Sequence, residues 1–292
     1  MTHYLHSFLL ALAFLVFSRV VRNRRLLWGG MLAVLAGVHL LHIHDAPFAR
    51  MVVICSVLLI CMKGIVYVEW GRRLPWSRWF MFTFLWFGME PTPFAAGRRK
   101  LRWKKDAVTG LACLATGLLL SVLVAHYRID SILVMFVPLS LAFHFGVLRL
   151  LTAFWRMRGI AVRPLFRNPL VSRGVADFWS MRWNLSFSQM MARTVQRPLT
   201  PHIGKRAALF AVFLVSGLLH ELAITVPVQS GYGLPTLYFT LHGVLVLIEN
   251  DRWPLWLRRA IVLVMVAAPL PVLFPAEFSR QVIELTLSYL RL

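Results

Sequence analysis

Residues 178–221 read FWSMRWNLSFSQMMARTVQRPLTPHIGKRAALFAVFLVSGLLHE, and the two halves are chemically unlike. The first half is aromatic, basic and polar, with Trp179, Arg182, Trp183 and Asn184 close together. The second is an apolar run from Ala207, interrupted by His220 and Glu221. A helix needs about 20 apolar residues to cross a bilayer. A charged group at the centre of such a run costs about 3 kcal/mol or more, so residues of this kind face a cavity or a partner and often work there. The rest of the chain reads as a scaffold for the Asn184 segment and the His220 helix.

Composition sets the class. The chain has 292 residues, 59% hydrophobic and 15% charged, well beyond the apolar content of soluble domains. Its 32 Lys and Arg against 11 Asp and Glu give a net charge of +21. The basic residues lie in short loops between apolar runs, as the positive-inside rule places them on cytoplasmic loops. Topology and contact with anionic lipid account for this charge without nucleic acid. A basic face can also collect an anionic substrate such as an acyl-CoA. Cys55, Cys61 and Cys113 lie within apolar runs and form no CxxC pair, so neither a disulfide framework nor a zinc site is expected.

In chain order, spans are expected over 5–21, 26–43 and 51–69. No positive segment precedes the first, and Arg19, Arg22, Arg24 and Arg25 follow it, so it reads as a retained helix with its N-terminus outside. His39, His42 and His44 do not stack on one helical face and read as an interfacial cluster. The piece Trp79 to Met89 is about half a span long, sits between basic loops, and reads as re-entrant. Further spans are expected over 107–125 and 131–150, with an external turn over 126–130. From Arg149 to Arg206 the chain reads as lying at the cytoplasmic face, with an amphipathic interfacial helix after Gly174. Spans over 207–228, 234–249 and about 260–275 follow, then a short amphipathic helix over 277–291. The fold expected is all-α: a polytopic integral membrane protein with roughly seven transmembrane helices, a re-entrant segment and interfacial helices, in one domain over 1–292.

Six stretches carry a resemblance. FWSMRWNLSF at 178–187, RPL at 197–199 and SGLLHEL at 216–222 are joined by Lys63-Gly64 with FLWFGMEPTPF at 84–94, PLFRNPLVSRGVADFW at 164–179 and LHGVLVLIE at 241–249. In this order they resemble the wax-synthase-like branch of the membrane-bound O-acyltransferase superfamily, over a core of about 63–250. Phe87, Ser180-Met181 and His242 stand where that branch often has Pro, Gly-Arg and Gln. The resemblance implies transfer of a fatty acyl group from acyl-CoA to a lipophilic alcohol, with acyl-CoA as a co-substrate and no permanently bound cofactor or metal.

Ester formation from a thioester and an alcohol needs a base as the hydroxyl oxygen attacks. Histidine suits this task, and burial disfavours its charged form. His220 is the candidate, and the resemblance implies the same role. Glu221 points about 100° away around the helix and is not expected to orient His220; an arginine or a polar cavity is its expected partner. The superfamily pairs an Asn, Asp or His of the aromatic segment with the helix histidine, and Asn184 is the match. Its amide can donate to a developing oxyanion or hold the acceptor hydroxyl, and the plain alternative is a helix cap or surface amide. Arg182, Arg173 and Arg167 are candidates for coenzyme A phosphates or, equally, lipid phosphates. Trp179 and Trp183 read as interfacial anchors or tunnel walls. His144 reads as structural; His242 stays open. Acyl transfer to another hydroxylated small molecule or an envelope glycan, and a lipid transporter with buried histidines, are the rival functions.

Overall fold

The computed structural model describes residues 2–127 and 132–284. It is 78% helical, with no strand among the described residues. The helices are α1 (Thr2–Val20), α2 (Arg24–Leu41), α3 (Pro47–Trp70), α4 (Trp76–Phe84), α5 (Thr92–Ala95), α6 (Lys104–His126), α7 (Ile132–Ser140) and α8 (Leu148–Met157). They continue as α9 (Val175–Asp177), α10 (Leu185–Met191), α11 (Arg197–Ala223), α12 (Thr225–Val228), α13 (Leu234–Ile248), α14 (Leu255–Ala267), α15 (Leu270–Leu273) and α16 (Ala276–Phe278). Among the described residues, seven helical segments are long and apolar enough to cross a membrane: His3–Val20, Arg24–Leu41, Pro47–Trp70, Lys104–His126, Val134–Met157, Leu185–Val228 and Leu255–Leu273. The chain is an all-α, multi-pass integral membrane protein.

Several expected boundaries move. The span expected over 131–150 continues through α8 to Met157. Arg149 and Arg156 read as loop charges, but they lie two turns apart on one face of α8 and both pair with Asp106 of α6, at 2.7 and 2.6 Å. The carboxylate is 3% exposed, and breaking such a buried triad strands an unpaired charge. The segment expected as a seventh crossing over 234–249 is the 15-residue α13, shorter than the seven spans. The Trp79 to Met89 piece contains only the last six residues of α4, and α4 at nine residues is too short to cross. Of the turn expected over 126–130, residues 128–130 lie outside the described residues. So do the residues after 284 of the helix expected over 277–291.

The chain divides into two compact units. The first comprises Met1–Arg73, Gln189–Arg252 and Val264–Val282. In it α1, α2 and α3 pack together, and α11 pairs with α13. Asn23 caps α2 by accepting from the N–H of Arg25 and Leu26, while α3 starts at Pro47 and stops at Gly71 in the left-handed region, φ 76°. Arg24 forks onto Glu69, Nε to Oε1 at 2.5 Å and Nη2 to Oε2 at 2.8 Å, tying α2 to α3. α11 and α13 meet backbone to backbone. A Cβ on Gly217 would lie 2.6 Å from Thr236 Cα, and one on Gly243 would lie 2.9 Å from Phe213 Cβ.

The second unit comprises Leu74–Ser188, Trp253–Leu263 and Ile283–Leu292. α6 lies against α7, α8 and the π-helical turn Leu141–Val147 between them. Gly117 and Gly146 make the approach possible, since a Cβ on Gly117 would lie 2.5 Å from Ala142 N and one on Gly146 would lie 2.9 Å from Leu114 Cα. Around α5, Arg78 Nη1 donates to the carbonyls of Phe94, Ala95 and Ala96, and Glu90 Oε1 accepts from Thr92 N–H and hydroxyl. Trp155 Nε1 and Ser186 Oγ donate to the carbonyls of Leu85 and Phe87, fixing the preceding loop.

Candidate active site

The first unit holds His220, near the end of α11. This helix is broken at Gly204, whose φ of 79° and ψ of 163° no helix contains. The seven residues before the break are polar and proline-bearing, and the apolar run follows it. Ser216 lies one turn before His220, and its carbonyl accepts from His220 Nδ1 at 2.6 Å. A carbonyl only accepts, so Nδ1 carries the hydrogen and Nε2 the lone pair, the tautomer a base needs. The Phe239 ring of α13 lies against the imidazole, centroids 4.2 Å apart, and fixes its plane.

Glu221 does not pair with an arginine; it gathers four donors. Oε2 accepts from Thr225 Oγ1 at 2.5 Å, and Oε1 accepts from the N–H of Gly233 at 3.1 Å and of Thr236 at 2.9 Å and from Thr236 Oγ1 at 2.7 Å. Gly233 is the N-cap of α13 and Thr236 lies in its first turn. The carboxylate therefore satisfies the donors that a helix start leaves unpaired, where the helix dipole also favours negative charge. The motif divides its labour: Ser216 accepts from His220 Nδ1, Gly217 admits α13, and Glu221 holds the helix that carries Phe239.

The second unit holds Asn184 and the residues around it. The interfacial helix expected from Gly174 to Met191 is instead interrupted. α9 passes into a π-helical turn, Phe178–Arg182, which closes with Trp183 N–H on Phe178 O at 2.9 Å. Asn184 follows with φ 44°, a left-handed conformation that Asn tolerates better than most residues. Its Oδ1 accepts from Phe187 N–H at 3.2 Å, capping α10. Asn184 is thus a cap, and its Nδ2 makes no hydrogen bond among the described residues. Just before it, the 182–185 stretch pairs with 165–167 through Arg167 N–H to Arg182 O at 2.9 Å and Leu185 N–H to Leu165 O at 2.8 Å. That pairing fixes where Asn184 points.

Aromatic rings wall this region. Trp183 stacks on Phe178, centroids 5.7 Å apart and planes 12° apart, and meets Phe166 edge-on at 5.1 Å. Trp179 meets Phe178 edge-on at 5.0 Å. His144, read as structural, joins the same group: its ring lies 4.4 Å from Phe166 and 5.6 Å from Trp183, and Nδ1 is 2.9 Å from Ser140 Oγ. It projects from the π-helical turn Leu141–Val147, an irregularity common at functional sites. His242, in the first unit, is fully enclosed, with Nδ1 on Tyr238 O at 2.9 Å.

The arginines differ in how they are held. Arg182 Nε pairs with Asp177 at 3.1 Å, and the same Oδ2 accepts the N–H of Arg173 at 3.0 Å. Arg167 is pushed below its ordinary pKa, by burial first and then by the like charges of Arg163, Arg182, Arg149 and Arg156. A cluster of this kind gains from an anion. Asp177, five residues before Arg182, was readable as its partner; Phe166 and Phe239, brought in from other elements, were not.

The class defined by these observations is a multi-pass membrane protein with a helix-borne imidazole and a separate amide-bearing segment. Residues 162–241 match the membrane bound O-acyl transferase family model. A probable long-chain-alcohol O-fatty-acyltransferase of Arabidopsis thaliana is 33% identical over 116 residues, covering 35% of this chain and 34% of that protein. An acyl-CoA–sterol O-acyltransferase of Arabidopsis thaliana is 28% identical over 141 residues, 42% and 41% of the two chains. A long-chain-alcohol O-fatty-acyltransferase of Simmondsia chinensis is 29% identical over 100 residues, 31% and 28%. The matched segment spans about a third of the length of these curated relatives. The resemblance to the membrane-bound O-acyltransferase superfamily and its wax-synthase-like branch is borne out on that segment.

Proposed function

We propose that this chain is a membrane O-acyltransferase that moves a fatty acyl group from acyl-CoA to the hydroxyl of a lipophilic alcohol, with residues 1–292 acting as one catalytic domain. The observation that carries this reading is the hydrogen bond from His220 Nδ1 to the Ser216 carbonyl, 2.6 Å long, which leaves Nε2 free of hydrogen. In the proposed step Nε2 takes the alcohol proton while the alcohol oxygen bonds to the thioester carbon. The carbon–sulfur bond breaks, and the proton passes on to the coenzyme A thiolate. An ester and free coenzyme A result, with no acyl-enzyme. Asn184 is assigned the donor role, offering Nδ2 to the thioester oxygen as charge develops there. Arg167, Arg173 and Arg182 are assigned to the phosphates of coenzyme A, and Trp179 and Trp183 to the wall against its acyl-bearing end. The basic loops are taken as cytoplasmic and the N-terminus as outside.

Relatives named for long-chain alcohols and for a sterol both support a lipophilic acceptor. The test is thiol release from palmitoyl-CoA by purified protein, offered long-chain alcohols, sterols and shorter hydroxylated compounds. A new ester with free thiol, lost in His220→Ala protein that still elutes as a folded species, is the expected result. Full turnover by that variant would remove the base assignment; absence of acyl-CoA binding would remove the enzyme reading.

A further inference from the structure

The first unit carries an arginine-lined recess that shares no residue with the acyl-transfer assignments. It lies where α1 and α3 end. Arg19, Arg22, Arg72 and Arg73 line it together with Tyr67 and Ser18, and none of its lining residues is acidic. Glu69, in the last turn of α3, has both its oxygens engaged by Arg24, at 2.5 and 2.8 Å. Glu69 therefore does not neutralise the recess.

The backbone builds the cluster deliberately. Gly71 turns the chain out of α3 at φ 76°, where no other atom lies near its Cβ position, so the glycine serves conformation rather than packing. That turn brings Arg72 and Arg73 onto the recess that Arg19 and Arg22 line from the other side. Arg19 lies over the Tyr67 ring, 5.7 Å from its centroid, which fixes the guanidinium. Helix C-termini attract cations, and α1 and α3 both end here, but that effect fades within the last turn. It accounts for one arginine at each helix end and not for four around one concavity.

Guanidinium forks match the oxygens of a phosphate. The recess also lies at the ends of two candidate spans, His3–Val20 and Pro47–Trp70, the depth of lipid headgroups. The last turns of α1 expose Val16, Phe17 and Val20, an apolar face along which acyl chains can lie. We propose that this recess binds a phosphate group carried by an anionic phospholipid.

The test is native mass spectrometry of the full-length protein in detergent, titrated with phosphatidylglycerol, phosphatidylcholine, inorganic phosphate and coenzyme A. The site variants are Arg72→Gln/Arg73→Gln and the single Arg22→Gln, all at exposed positions outside the helices. Lys104→Gln/Lys105→Gln removes the same charge elsewhere and is the control. Loss of charge-assisted hydrogen bonds predicts phosphatidylglycerol affinity weaker by about tenfold in the double site variant, a smaller loss in Arg22→Gln, and a change below about twofold in the control. Equal loss in site and control variants, or no loss in either site variant, overturns the proposal. Displacement of the lipid by coenzyme A or inorganic phosphate at matched concentration overturns the lipid as the source and gives the site to a soluble phosphate.

Discussion

Glu221 Oε1 accepts from both the backbone N–H of Thr236, at 2.9 Å, and its hydroxyl, at 2.7 Å. The residue beside the proposed base thus fixes the start of a helix twelve to fifteen residues downstream, and that helix carries Phe239, 4.2 Å from the His220 ring. Glu221 thereby holds the helix whose Phe239 ring lies against His220.

The first prediction separates the charge of Glu221 from its capping. Glu221→Ala leaves two backbone donors and two hydroxyls to find new partners, which costs on the order of 1–3 kcal/mol. Glu221→Gln retains the acceptor at Oε1 and changes only the oxygen facing Thr225, so it costs about 1 kcal/mol or less. Thermal unfolding in detergent should rank wild type, Gln, Ala in falling order, with activity following stability. A fully stable Glu221→Gln protein with activity gone would make Glu221 a participant in the chemistry.

Asn184 supplies a cap through Oδ1 and, in the proposed reaction, a donor through Nδ2. Asp caps as well as Asn and also tolerates the left-handed region, so Asn184→Asp keeps the local fold while removing the donor. Loss of an oxyanion donor predicts a fall in kcat of about 10²–10³ in that variant, with unfolding temperature near wild type. Asn184→Gly suits φ 44° and loses the cap for a few tenths of a kcal/mol. Asn184→Asp protein at wild-type kcat would reduce Asn184 to a cap.

Sequence order exposed the spans because each is a continuous apolar run bounded by arginines. It did not expose what those arginines and acids do, since their partners are distant in the chain. Arg149 and Arg156 read as loop charges, yet both pair with Asp106, 43 and 50 residues earlier, inside the helix packing. The periodicity after Gly174 reads as one amphipathic helix, and nothing local announces that Asn184 breaks it with a positive φ. His220 and Asn184 were identifiable as candidates from motif order. The Ser216 carbonyl was in reach too, because a helix puts residue i−4 beside residue i.

The close helix crossings predict opposite outcomes for one chemical change. Gly117→Ala would place a methyl 2.5 Å from Ala142 N and 2.7 Å from Pro138 O, both rigid backbone. Overpacking of this kind costs about 1–3 kcal/mol. Gly37, within α2, has no atom within 4 Å of its Cβ position. Gly37→Ala gains helix propensity and should be neutral or stabilising by up to about 1 kcal/mol. Unfolding temperatures of the two variants in the same detergent check the contrast, and equal temperatures would contradict the packing of α6 on α7.

The histidine cluster read as interfacial contains a clamp. His42 is fully enclosed; Nδ1 donates to Asp45 Oδ2 at 2.6 Å, which leaves Nε2 to accept the Ser7 hydroxyl at 2.8 Å. A Ser–His–Asp alignment resembles a nucleophilic triad, but Ser7 is only 2% exposed, so no substrate reaches it and the alignment serves to pin α1 against the end of α2. Ser7→Ala leaves the enclosed Nε2 without a donor, a loss of about 1–2 kcal/mol. The His42 hydrogen bond, chiefly, holds the Asp45 carboxyl below its ordinary value. A group lowered in the folded state contributes stability above its unfolded pKa of about 4, and that contribution is lost as pH falls through the folded value. Acid should therefore lower the unfolding temperature of wild type relative to Asp45→Asn, closing the gap between them below pH of about 4. A gap that stays constant from pH of about 7 to 3 would mean that Asp45 holds His42 by geometry alone, with no contribution from its charge.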